Sequence, residues 1–144
     1  MIYADTGLLC SLYAPDANSG AAIDRIGRAK SALSLVWLHQ LELRNALRLR
    51  VFRKEINVTQ RDAALNAFLA DIAGGVYESA SPGIAEVMLE AERLSASQAE
   101  RLGVRSLDIL HVASALVVGA SEFWTFDARQ GALAKAAGLK VSGT

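Results

Sequence analysis

Short segments typical of β-strands alternate with longer helix-forming segments along the chain, and this alternation limits the folds that the chain can adopt. The segments MIYAD, ALSLVW, VYES, EFWTFD and LKV are short, and each contains β-branched or aromatic residues. Between them lie longer segments, such as LHQLELRNALRLRVFRKE and SLDILHVASALVVG, whose apolar residues recur at helical spacing. Strands separated by helices predict an α/β fold with a short, mostly parallel sheet flanked by helices.

The size and composition indicate one folded domain over residues 1–144. Hydrophobic residues make up 52% of the chain and charged residues 21%, which is enough apolar material for one core. The 15 Lys and Arg residues balance the 15 Asp and Glu residues, so any contact with nucleic acid would need a local basic patch. The single cysteine, Cys10, excludes an intrachain disulfide. No segment has the pattern of a membrane span or a secretory signal, and we expect a cytoplasmic protein with no membrane partner.

Four acidic residues stand at unusual places in this pattern. Asp5 and Asp127 end two predicted strands, and ligands of parallel sheets gather at the carboxyl ends of the strands. Glu42 and Asp108 lie beside the apolar faces of two predicted helices, where a carboxylate loses part of its hydration. Four such placements among 15 acids indicate a shared site.

Each acid also has a structural interpretation. Asp5 is suited to a turn or a helix cap, with Thr6 as the competing cap of the first helix. Asp127 is suited to capping the last helix, with Gln130 completing a capping box.

The two helical acids have structural interpretations as well. Ser106 is a candidate cap that would place Asp108 in the first turn of its helix, where the helix dipole favours negative charge. Glu42 is suited to an ordinary solvated position on its helix, or to an ion pair with Arg44 or Arg48.

The order of these motifs resembles the PIN-domain family, and within it the VapC-type toxins of bacterial toxin–antitoxin systems. The resemblance covers nearly the whole chain and rests on YADTGLLCSLY, LHQLELRNAL, SLDILHVASAL and FWTFDARQGALAKAAGLKV. It implies that Asp5, Glu42, Asp108 and Asp127 are the family's four catalytic, metal-binding acids. Thr6 and Thr125 match the hydroxyl residues that accompany the first and last of them.

The resemblance also implies the activity and the partners. It implies hydrolysis of RNA phosphodiester bonds with Mg²⁺ or Mn²⁺, and oxygen ligands agree with such hard cations. It further implies a cognate antitoxin protein and a homodimer. Two alternatives stay open: a catalytically inactive PIN-like module that binds RNA or acts as a scaffold, and a processing nuclease that is not a toxin.

Other charged residues have less definite roles. Arg44 and Arg48 belong to a basic run over residues 44–54 that is suited to RNA phosphates, to an acidic segment of a partner or to a solvated helix face. His111, three residues after Asp108, is suited to a hydrogen bond with that acid, although a packed structural histidine is the favoured interpretation. Trp37 and Trp124 adjoin predicted strands, and we expect both in the core.

Overall fold

A parallel sheet of five three-residue strands lies at the centre of the fold. The computed structural model of the chain describes residues 1–142, and residues 143–144 of the predicted domain lie outside the described part. The strands are β1 (Ile2–Ala4), β2 (Leu33–Leu35), β3 (Tyr77–Ser79), β4 (Glu122–Trp124) and β5 (Lys140–Ser142). Their order across the sheet is β3-β2-β1-β4-β5, and every pair is parallel. The carboxyl ends of all five strands therefore meet at one edge, and β1 lies in the middle of that edge.

Helices carry the chain back between the strands, which is what parallel pairing requires. They are α1 (Thr6–Tyr13), α2 (Ser19–Gly27), α3 (Trp37–Phe52), α4 (Val58–Ala73), α5 (Ile84–Leu94), α6 (Glu100–Leu102), α7 (Ser106–Val117) and α8 (Ala128–Ala136), and a π-helical turn, Ser95–Ala99, joins α5 to α6. Each predicted strand and helical segment is present. Within residues 1–142, no helix is both long enough and apolar enough to cross a membrane.

The two faces of the sheet are covered by two separate apolar clusters. Ile2 and Ala4 of β1 pack into one cluster with α1, α3 and α4, and Tyr3 packs into the other with α5, α7 and α8. In the same way, Trp124 and Phe123 of β4 belong to opposite clusters. Successive side chains of a strand point to opposite faces, so three residues are enough to anchor helices on both sides.

The predicted helix caps Thr6 and Ser106 are wrong. The side chain of Asp5 caps α1 by accepting a hydrogen bond from the Leu8 N–H at 2.7 Å, and Thr6 is the first residue of the helix. Ser106 is likewise the first residue of α7, and Asp108 reaches back to accept from the Arg105 N–H at 3.2 Å. In both cases a carboxylate, which is a stronger acceptor than a hydroxyl, satisfies the free backbone donor.

The two tryptophans lie in different environments. Trp124 is buried in the core, as predicted, but Trp37 is 37% exposed at the start of α3. The expectation for Trp37 failed because adjacency to a strand does not determine which side of the following helix the residue occupies.

Two glycine substitutions test the description of the helix ends. Gly103 ends α6 with φ of +64°, a left-handed conformation that costs other residues about 1–2 kcal/mol. We therefore expect Gly103→Ala to lower the free energy of unfolding by about 1 kcal/mol. Gly20 lies within α2 with open space around its Cα, so Gly20→Ala should raise it by about 0.5–1 kcal/mol. Urea titrations of both variants measure these changes, and equal effects at the two positions would contradict the assignment.

Candidate functional site

The four predicted acids lie around one cavity of about 450 Å³. Asp5 reaches it from the end of β1, and Asp127 follows β4, the strand that pairs with β1. Glu42 on α3 and Asp108 on α7 complete the set from the helices. Residues that are far apart in the sequence are thus brought together at the carboxyl edge of the sheet, where ligands of parallel sheets bind. Their catalytic role stays a prediction.

Asp5 is the most buried of the four acids, with 6% of its surface exposed. Its Oδ1 accepts from the Leu8 N–H, and its Oδ2 accepts from the Thr125 hydroxyl in a short hydrogen bond. Burial raises the pKa of the Asp5 carboxyl above its usual value, and the negative charge of Asp127 adds to this rise. The two hydrogen bonds lower the pKa of Asp5 and only partly offset the effect of burial.

Asp127 is a helix cap as well as a cavity residue. Its Oδ1 accepts from the N–H groups of Arg129 at 2.8 Å and Gln130 at 3.0 Å, at the start of α8. The predicted capping box with Gln130 is wrong, because the N–H of Asp127 donates to the Thr125 hydroxyl oxygen at 2.9 Å. The structural and the functional interpretation of Asp127 are therefore compatible, since the cap occupies one carboxylate oxygen.

Glu42 is held by His111, and no sequence signal indicated this pair. The Nε2 atom of His111 lies 2.6 Å from Glu42 Oε2 and 3.2 Å from the Thr6 hydroxyl oxygen. The predicted partners of these residues are wrong: Glu42 does not pair with Arg44 or Arg48, and His111 does not bond Asp108. Asp108 instead forms an ion pair with the exposed Arg105 at 3.4 Å.

The second histidine, His39, is structural, and it is fully buried beside the site. Its Nε2 lies 2.8 Å from the Ala4 carbonyl oxygen, and its Nδ1 accepts from the Val36 N–H at 3.1 Å. Burial lowers the pKa of His39 to about 3. His39 is therefore neutral and donates through Nε2.

The two predicted hydroxyl residues occupy different positions. Thr6 lines the cavity, and Thr125 lies behind it, where its hydroxyl binds Asp5.

The structure also adds a pair that the sequence analysis missed. Asp16, which follows α1, accepts from Arg50 at 2.7 Å and from the Ser11 hydroxyl at 2.8 Å, and all three side chains line the cavity. Partial burial would raise the pKa of Asp16, but these hydrogen bonds outweigh it and the pKa is lowered.

The basic residues of the run over residues 44–54 that belong to α3 lie on different faces of this helix. Arg44 donates to the Gln40 carbonyl of its own helix at 3.1 Å, Arg48 is exposed, and the cavity lining formed by residues 1–142 includes neither. Arg50 and Arg105 are the arginines that line it. The prediction that Arg44 and Arg48 contact RNA or a partner therefore stays untested, and the structure separates them from the acids.

The cavity has the donors that a hard cation prefers. Within residues 1–142, Asp108 Oδ1, Asp127 Oδ2 and Glu42 Oε1 accept no hydrogen bond, although the other oxygen of each carboxylate does. The described side chains contain no group of three His, Cys, Asp or Glu arranged as a ready-made metal site. Because Mg²⁺ usually binds one or two carboxylates and keeps several waters, the donor set nevertheless fits such an ion.

The raised pKa of Asp5 predicts how the stability of the fold depends on pH. Because the pKa of Asp5 is raised in the folded chain, stability falls as the pH rises through the window between its unfolded and folded values. In EDTA at neutral pH, Asp5→Asn should therefore raise the melting temperature by a few degrees. This gain should vanish below about pH 4, where the carboxyl is protonated in both states.

Asp127→Asn is the matched control for this experiment. Asn also caps helices, and Asp127 is exposed, so the melting temperature should hardly change. Thermal denaturation of the three proteins between about pH 3 and pH 8 provides the measurement. An Asp5→Asn variant that melts below the unsubstituted chain at pH 7 would overturn the description of Asp5.

Comparisons with known proteins agree on the fold. No protein-family model matches the chain, and no curated protein matches it in sequence. Its structure is similar to that of VapC20 from Mycobacterium tuberculosis, a toxin that cleaves the sarcin–ricin loop, with a TM-score of 0.72 and 18% sequence identity over 100% of this chain and 98% of the other. It is also similar to FitAcB from Neisseria gonorrhoeae, with a TM-score of 0.67 and 18% identity over 98% and 96% of the two chains. The predicted fold class, a single PIN-like domain with a short parallel sheet flanked by helices, is thereby confirmed.

Proposed function

We propose that the chain is a Mg²⁺- or Mn²⁺-dependent ribonuclease and the toxin of a toxin–antitoxin pair. The observation that carries this proposal is the meeting of Asp5, Glu42, Asp108 and Asp127 around one cavity. The similarity in fold to VapC20, a toxin that cleaves RNA at the sarcin–ricin loop, supports it. The four acids argue against a catalytically inactive module, which would have no need to crowd them.

The reaction is hydrolysis of a phosphodiester bond: a water oxygen forms a bond to phosphorus, and the leaving ribose oxygen departs with a proton. Asp5, Asp108, Asp127 and Glu42 would hold the cation and its bound water, and the free Oε1 of Glu42 would orient that water. When bound, Mg²⁺ or Mn²⁺ supplies positive charge that favours ionisation of water and stabilises charge on the phosphate. The cation also removes the repulsion that crowded carboxylates would otherwise exert on the RNA.

The RNA backbone would contact arginines at the rim of the cavity. Arg105 is 79% exposed, and its ion pair with Asp108 is weak because water screens it. Together with Arg129 it borders a second cavity of about 250 Å³ that Asp108 and Asp127 also line. Two guanidinium groups beside the acids can bind the phosphates that flank the cleaved bond, since arginine matches phosphate geometry. We therefore assign substrate contact to Arg105 and Arg129 in place of Arg44 and Arg48.

Exposed apolar side chains favour protein partners. Trp37 and Leu41, one helical turn apart on α3, are 37% and 70% exposed, and Ile84 and Met88 are placed in the same way on α5. Exposed apolar side chains grouped on a helix face are typical of interaction sites. We propose that an antitoxin and a second copy of the chain cover such faces, and light scattering with and without the antitoxin measures both associations.

Removal of the metal ion and substitution of one acid test the proposed activity. We expect the purified chain to cleave single-stranded or looped RNA with Mg²⁺ or Mn²⁺ and to lose this activity in EDTA. Asp108→Asn should lower kcat by about 100-fold or more, because several kcal/mol of charge stabilisation are lost with a metal ligand. Asp62→Asn is the matched control, since Asp62 pairs with Arg61 on α4, outside the cavity lining, and should leave kcat unchanged. Full cleavage in excess EDTA would refute the metal mechanism, and tight RNA binding without cleavage would indicate the inactive module.

The biological role is tested in cells. Expression of the chain alone should inhibit growth, and co-expression of the product of the neighbouring gene should restore it. Asp108→Asn, expressed at the same level, should not inhibit growth. A nuclease-active chain that leaves growth unaffected would contradict the toxin and favour a processing nuclease.

A further inference from the structure

A buried chain of hydrogen bonds runs from the sheet to the cavity. It starts at Tyr3 of β1, whose hydroxyl oxygen lies 2.8 Å from Nδ1 of His111 on α7. It continues from His111 Nε2 to Glu42 Oε2 on α3, at 2.6 Å. Tyr3 and His111 are 0% and 2% exposed, so water does not compete for the bond between them, whereas the bond to Glu42 lies at the edge of the cavity. The three residues come from different elements, and the function proposed above uses only Glu42.

The chemistry of the two end groups gives the hydrogen bonds one direction. An ionised carboxylate only accepts hydrogen bonds, so the Nε2 atom of His111 carries the proton that is shared with Glu42. When the imidazole carries this one proton, its other nitrogen is an acceptor, and the tyrosine hydroxyl, which keeps its proton at neutral pH, donates to it. Tyr3 therefore donates to His111, and His111 donates to Glu42.

Packing keeps the imidazole of His111 in this orientation. Its ring lies 5.8 Å from the Tyr3 ring in an edge-to-face arrangement and 5.3 Å from the His39 ring. His39 is itself fixed by the Ala4 carbonyl and the Val36 N–H. The imidazole is thus a rigid donor, whereas Glu42 is a flexible side chain that is 30% exposed.

We propose that His111 is a positioning residue for Glu42, that Tyr3 selects the His111 tautomer, and that the pair keeps Glu42 Oε1 available to the cavity. Partners that orient a ligating or reacting group in this way typically change metal affinity or activity by about 10- to 100-fold. The inference rests on the proposed function for its effect on activity, whereas the tautomer and the coupling to Glu42 can be measured without cleavage.

A double-mutant cycle tests the coupling, with Mn²⁺ binding measured by calorimetry and RNA cleavage measured in parallel. His111→Asn should weaken Mn²⁺ binding and lower kcat about tenfold with little change in KM. His111→Gln should lose less, since its amide reaches further and can still donate to Glu42. In a Glu42→Gln background, His111→Asn should have almost no further effect. Additive losses, or losses that follow only the melting temperatures of the variants, would overturn the proposal.

Tyrosine variants give a second test that avoids changing the histidine. Tyr3→Phe removes the donor to Nδ1 and should lower Mn²⁺ affinity a few-fold. Tyr77→Phe is the matched control, because it removes another buried hydroxyl, which bonds Tyr13 on the far side of the core and does not line the cavity. Equal effects of the two substitutions would contradict the assignment.

Nitrogen NMR of the imidazole separates this inference from the proposed function. We expect His111 to be the Nε2–H tautomer and its Nδ1 resonance to shift in Tyr3→Phe but not in Tyr77→Phe. If the unsubstituted chain neither cleaves RNA nor binds Mn²⁺, the proposed function fails, and the NMR result alone decides the inference. A proton on Nδ1, in place of the one on Nε2 or in addition to it, would refute it.

Discussion

The carboxylate of Asp5 is the interaction on which the rest of the site depends. It stands at the end of the central strand, where its two oxygens bind the first turn of α1 and the hydroxyl of Thr125 after β4. Two neighbouring strands and one helix are therefore fixed at their meeting point by one buried acid. A burial that raises the pKa of this group opposes folding at neutral pH, and the hydrogen bonds offset only part of that cost.

Three of the other four acids of the cavity have side-chain partners. Glu42 binds His111, Asp108 binds Arg105, and Asp16 binds Arg50. Each of these contacts holds its side chain in a fixed position in the cavity. The charges of the lining are nevertheless unequal, because five carboxylates and two guanidinium groups line the cavity. Excess negative charge in a cleft lowers the stability of the fold and attracts cations. Active sites commonly combine such a loss of stability with a gain in function.

The sequence predicted the fold more completely than the contacts of the site. A chain in which strands alternate with helices can adopt only a few topologies, so local periodicity was enough to predict the parallel sheet. The grouping of the four acids followed from the positions of these acids at strand ends and helix edges and from the family resemblance. The partner of His111 could not be predicted in the same way, since it depends on how α3 and α7 approach each other across the end of β1. The caps at Thr6 and Ser106 failed because each helix begins one residue earlier than predicted, and a neighbouring acid binds a backbone N–H at that start.

Helix α3 shows why hydrophobic pattern alone did not separate core from surface. Leu43 and Leu47 are fully buried, and Glu42, one residue earlier, faces the cavity. Leu41 is 70% exposed, although it is a leucine like its buried neighbours. With 3.6 residues per turn, consecutive residues point to different sides, so one helix provides a core face, a cavity face and an outer apolar face. Leu41 on the outer face therefore cannot be told from the core leucines by residue type, and a partner that covers Leu41 would contact the same turn that carries Glu42.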